Sequence, residues 1–73
     1  TIGGNLPAAV NGANEEAVAA FLEGKIDFLD IGRIVMNVCE NTPREEIKCV
    51  EDVLEADRLA REEARRLALA MKN

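Results

Sequence analysis

The side chains whose type suggests chemistry are two cysteines, Cys39 and Cys49, three adjacent acidic pairs, and an arginine cluster at Arg58, Arg61, Arg65 and Arg66. Zinc takes about four ligands at short, regular spacings. The two cysteines stand ten apart in a chain with no histidine. They form neither a zinc pattern nor a disulfide framework, and both read as reduced thiols of a cytosolic type. A thiol at a helix start can be activated, but Lys48 is the sole cation beside Cys49, so the thiol reads as inert. Nucleophilic pairs of the Cys–His or Ser–His kind need the histidine that is missing. The acidic pairs are Glu15-Glu16, Glu45-Glu46 and Glu51-Asp52. Adjacent residues on a helix diverge by about 100°, so none of these pairs converges on a metal. Gly3-Gly4 followed by Gly12 lacks the preceding strand and the Lys-Ser/Thr of a phosphate loop. No residue is assigned a catalytic, cofactor-binding or metal-binding role.

Charge narrows the partners. The net charge is −5, which opposes nucleic acid, whose phosphates need a basic footprint. The arginine cluster is interleaved with Asp57, Glu62 and Glu63 and reads as a solvated, salt-bridged helix face. No apolar run approaches the ~20 residues that cross a bilayer, and no stretch reads as a signal peptide. No membrane partner and a cytoplasmic location are expected.

What must position these residues is helical. Residues 1–6 read as linker, with Gly3-Gly4 as a breaker pair. Pro7 suits the first turn of a helix, where its missing N–H costs nothing. Val10, Ala13, Ala17, Ala20 and Phe21 recur at three- and four-residue steps, and Gly24 fits the left-handed position after a helix end. The spacing predicts a helix over 7–23. Ile31, Ile34, Val35 and Val38 mark a second over 29–41, ended by Asn41-Thr42-Pro43. Val50, Val53, Leu54, Ala60, Ala64, Leu67, Ala68 and Met71 trace a third over 50–71. Cys49 stands where a capping residue belongs, and Asp52 is the residue that can substitute for it. With short connections and no strand pattern, the chain is predicted to be all-α. A single helical domain over 1–73 would hold three antiparallel helices in an up-down-up order.

Three polar residues interrupt the apolar faces and are predicted to be structural. Asn14 lies between Val10 and Phe21, and Asp57 lies between Leu54 and Ala64 with Arg61 one turn on. A polar group on a buried face needs a partner or costs about 1–3 kcal/mol. Asp57 is expected to bond across helices, to Asn14 or to the start of the first helix. The other reading is that Asn11, Asn14 and Glu15 face a neighbouring domain or a ligand.

Those residues also carry a resemblance. The run from Pro7 through Asn11-Gly12-Ala13-Asn14-Glu15 resembles the Asn-Ala-Ala-Asn-Glu segment of the 1-deoxy-D-xylulose 5-phosphate reductoisomerase family. It is followed, as in that family, by a segment from Ala19 to Ile31. A third segment runs from Val50 to Asp57, with Ala60-Arg61 after it. The three occur in the family's order and cover nearly the whole chain. Gly12 departs from a usual Ala, a change worth at most ~1 kcal/mol of helix propensity. Cys49 departs from a usual Ser or Thr.

The resemblance implies that this is the C-terminal helical domain of a much longer NADPH-dependent oxidoreductase of isoprenoid biosynthesis. Such an enzyme converts 1-deoxy-D-xylulose 5-phosphate to 2-C-methyl-D-erythritol 4-phosphate. The NADPH-binding domain and the carboxylates for a divalent metal, Mg or Mn, would lie in its other domains, which become the expected partners. The helical domain alone is expected to be inactive. The family's bundle has four helices, the first preceding the glycine pair, so this chain would hold most of a four-helix bundle. Its uncovered face, walled by the first and third helices around Val10, Phe21, Val53 and Leu67, is expected to drive self-association. An independent helical interaction or dimerisation module is the alternative reading.

Overall fold

The computed structural model describes residues 4–71, which form three α-helices. They are α1, Leu6–Leu22; α2, Phe28–Asn41; and α3, Val50–Met71. Thr1 to Gly3, expected as linker, and Lys72, placed at the end of the last helix, lie outside the described residues. Among the described residues there is no strand.

Local chemistry sets each boundary. Pro7 sits in the first turn of α1. Past its end, Gly24 takes φ +78°. Lys25 donates its N–H to the Ala20 carbonyl at 2.9 Å and Gly24 donates to Phe21 at 3.0 Å, the paired closure that a left-handed glycine permits. At the start of α2 the Asp30 carboxylate accepts the Asp27 N–H at 3.0 Å. At its end the Thr42 hydroxyl donates to the Val38 carbonyl at 2.5 Å. At the start of α3 the thiol of Cys49 is no cap, and the Asp52 carboxylate accepts the Lys48 N–H at 2.9 Å instead.

The contacts give the topology. Phe21 on α1 meets Phe28 on α2 edge to face, with ring centroids 5.7 Å apart, and Asn5 at the other end of α1 reaches Pro43. So α2 runs antiparallel to α1. Gly12 lies against Asp57, while Glu16 pairs with Arg61 and Arg65. So α3 returns parallel to α1, completing the up-down-up order.

The α1–α3 seam is built from small residues. Ala9, Gly12, Ala13, Ala17 and Ala20 are buried on α1, facing the buried Ala60, Ala64 and Ala68 of α3. Alanine and glycine lose little or no side-chain entropy on burial, so the seam closes cheaply but contributes little apolar area. The larger burial comes from α2, whose Ile34 and Val38 are 0% and 1% exposed, and from Ile26 in the α1–α2 connection.

The apolar stripe expected along all of α3 holds only for its later turns. Val50, Val53 and Leu54 are exposed. The start of α1, which would cover that part of α3, is committed to another segment. Gly4 and Asn5, expected as linker, clip residues 43–45. The Asn5 amide donates to the Pro43 carbonyl at 2.8 Å and accepts the Glu45 N–H at 2.9 Å, and the Asn5 N–H donates to the Glu45 carbonyl at 3.1 Å. Asn5 is 6% exposed. Its side chain, at the position where an asparagine would ordinarily cap its own helix, does not do so. Replacing Asn5 with Ala removes two of those bonds and leaves a buried-side carbonyl and N–H without partners. The expected loss is about 2 kcal/mol, read as a drop in the urea midpoint followed by far-UV circular dichroism.

Candidate functional site

Two features stand out among the described residues: a charged clasp across the α1–α3 seam and an open groove between α2 and α3. The clasp is centred on Arg61. Its Nε donates to Asp57 at 2.8 Å along α3. One terminal nitrogen donates to Glu16 at 3.1 Å and the other to Glu15 at 2.5 Å, both on α1. Arg65 adds a second contact to Glu16 at 3.3 Å. The three carboxylates hold the Arg61 guanidinium above its ordinary pKa, chiefly through the hydrogen bond to Asp57. On the outer face of α3, Arg58 bridges Glu55 and Glu62, and Arg66 pairs with Glu63. The arginines hold the Glu55 and Glu63 carboxyls below the usual carboxylate range, first by these hydrogen bonds.

The predicted polar residues take separate places. Asp57 is half-buried beside Gly12, where an added Cβ would stand 2.7 Å from its carboxylate and 3.1 Å from its backbone carbonyl. Its carboxylate is engaged by Arg61 on its own helix. It is Arg61 that crosses to the other helix. Asn14 is exposed and borders a shallow surface hollow with Val10, Asn11 and Val35. Two features escape a reading of the sequence. The clip at Gly4-Asn5 depends on a partner about forty positions away. The pairing of Arg61 with Glu15 and Glu16 depends on the parallel return of α3. The intrahelical spacing of Asp57 and Arg61 was the visible part of that network.

Replacing Arg61 with Ala would leave Asp57, Glu15 and Glu16 grouped with only Arg65 nearby. The ions are partly solvated, so the expected cost is about 1 kcal/mol and falls with added salt. Urea melts of Arg61→Ala and Asp57→Ala at low and high salt should show the arginine change as the larger and the more salt-sensitive.

The groove has a volume of about 800 Å³. Val38, Ala56, Leu59 and Ala60 line it, and Glu45, Glu46, Asp52, Glu55 and Glu63 are among its polar lining. Its walls are therefore α2 and α3. The face expected to be open, between α1 and α3, is closed by the alanine seam, with Phe21 and Leu67 packed against the core. Among the described residues, no group of three or more His, Cys, Asp or Glu is placed to hold a metal ion.

Fold and site together define a small all-α domain with a tight alanine seam on one side and an unfilled apolar groove on the other. The chain belongs to the DXP reductoisomerase C-terminal domain family, whose model matches residues 1–63. It is 57% identical over 63 residues to a 1-deoxy-D-xylulose 5-phosphate reductoisomerase of Cupriavidus pinatubonensis (86% of this chain, 16% of that protein). It is 55% identical over 64 residues to the enzyme of that name from Nitrosomonas eutropha (88% and 16%). With the one from Cupriavidus necator the identity is 54% over 72 residues (96% and 18%). The chain thus spans about a sixth of the length of these curated relatives. No solved structure matches it.

Proposed function

We propose that the chain serves as the non-catalytic, bracing domain of an NADPH-dependent reductoisomerase. That enzyme would convert 1-deoxy-D-xylulose 5-phosphate to 2-C-methyl-D-erythritol 4-phosphate in the cytoplasm. The observation that carries this reading is the identity of 54–57% to enzymes so named, confined to about a sixth of their length. A segment this short, with thiols, carboxylates and arginines committed to packing or left in solvent, supplies support. NADPH and the divalent metal would be held by the remainder of such an enzyme, the domain's natural partner. Among the described residues no helix is long and apolar enough to cross a membrane. Intact-mass measurement on fresh lysate tests the reading. A parent chain about six times heavier supports it, and a native 8.0 kDa product would favour an independent interaction module.

The groove between α2 and α3 is where a fourth helix of the bundle would seat. Without it, Leu59 and its neighbours stay in water, at 50% exposure for Leu59, and the isolated domain would associate weakly through this face. Burying ~500 Å² at ~25 cal/mol/Å² offers about 12 kcal/mol, and association consumes ~4–15 of it. A weak, concentration-dependent dimer is the expected result of sedimentation velocity across a range of concentrations. A single monomeric species throughout would show that three helices close their own core.

A further inference from the structure

We propose that Asn11 is a conformation-gated deamidation site. Where the family's segment carries Ala, this chain has Gly12, which creates the dipeptide Asn11-Gly12. In an extended or unfolded chain the Gly12 backbone nitrogen can attack the Asn11 side-chain carbonyl carbon. Glycine, with no Cβ, neither blocks that approach nor restricts the backbone angles that it needs. A C–N bond forms, the side-chain nitrogen leaves as ammonia, and the N–H proton goes to solvent. Water then opens the cyclic imide at one of its two carbonyls. The products are aspartate at position 11 or an isoaspartate whose backbone runs through the side chain.

The folded state closes this route. Residues 11 and 12 lie in the interior of α1. There the nitrogen of residue 12 donates to the carbonyl of residue 8 and is held away from its neighbour's side chain. The gate is also tied to tertiary packing. Gly12 is buried against Asp57 and Arg61 of α3, so α1 cannot uncoil there while the seam is closed. The side chain of Asn11 is itself exposed. Burial of the reacting amide is therefore not the protection; helical geometry is. The other described asparagines, Asn5, Asn14, Asn37 and Asn41, are followed by Leu, Glu, Val and Thr, whose side chains hinder the same attack. Isoaspartate at 11 would lengthen the backbone by one carbon at the tightest point of the seam, so the damaged chain would not regain its packing. Opening of α1 thus leaves a permanent chemical mark.

The test is incubation of the protein at mildly alkaline pH and 37 °C, with peptide mass mapping for the one-dalton gain and enzymatic methyl labelling for isoaspartate. Three samples are compared: the native protein, the same protein in urea, and an Ile34→Ala variant without urea. Reaction at Asn11 should be slow in the first and fast in the second. It should be raised at least about tenfold in the third, because the rate follows the open population. Gly12→Ala in urea should slow it again, which ties the chemistry to the dipeptide. Equal rates in native and urea-treated protein would overturn the gate. Reaction in urea led by another asparagine would overturn the site.

Discussion

Replacing Ile34 with Ala should unfold much of the isolated domain at room temperature. Ile34 is fully buried and, with Val38, is one of the two largest side chains so enclosed. Most of the remaining core is alanine, which cannot swing into the space. Removing such a side chain costs about 2–5 kcal/mol, the upper end applying where neighbours cannot collapse. A single core of this size supplies only about 3–5 kcal/mol net. The substitution therefore takes most of what there is. With neither Trp nor Tyr in the chain, far-UV circular dichroism against urea is the measurement. A variant that keeps a cooperative transition with an unchanged midpoint would mean that α2 contributes little to the core.

The second large effect is expected at Gly12. Replacing it with Val places a branched side chain where even a Cβ would stand 3.1 Å from the Asp57 carbonyl and 3.3 Å from the Arg61 side chain. The Asp57 carboxylate could swing aside only by loosening its bond to Arg61, and the carbonyl belongs to helical backbone. The two helices must separate, which costs about 3 kcal/mol as overpacking. Gly12→Ala sets the same crowding against a gain of ~1 kcal/mol in helix propensity, so it should fall well short of the valine variant. Urea midpoints of the two variants, measured side by side, check the ordering.

Much of this fold is legible from residue spacing, because its determinants are local. The left-handed Gly24 and the Thr42-Pro43 stop each act within a turn of the residue that carries them, as does the role of Asp52 in place of a cap. What is not legible depends on how far apart in sequence the partners lie. Asn5 reads as a helix cap, yet its amide is engaged by residues 43 and 45. Gly12 reads as a minor weakening of a helix, yet it sets how closely α1 and α3 approach. Val50, Val53 and Leu54 continue a perfectly regular apolar stripe, but periodicity does not tell which stretch of a helix has a neighbour to lie against. The open face was misplaced for the same reason. A seam of alanines gives a weak apolar signal, but it closes tightly once the helices run parallel.

The clasp shows the same limit in electrostatics. An i,i+4 spacing announces the pairing of Asp57 with Arg61, worth about 0.5 kcal/mol along one helix. The same guanidinium also joins α1 to α3 through Glu15 and Glu16, and that link fixes the register of two parallel helices whose alanine seam supplies few distinguishing contacts. The acidic pair that offers no metal site in sequence thus has a role in packing.

The most direct test of the domain's role is calorimetric titration of the isolated 73-residue chain with NADPH, alongside an NADPH-oxidation assay with 1-deoxy-D-xylulose 5-phosphate. The same assay is run on a full-length protein carrying this segment. The expected result is no binding and no turnover by the chain alone, with turnover by the full-length protein. Micromolar NADPH binding or measurable turnover by the chain alone would contradict a purely bracing role.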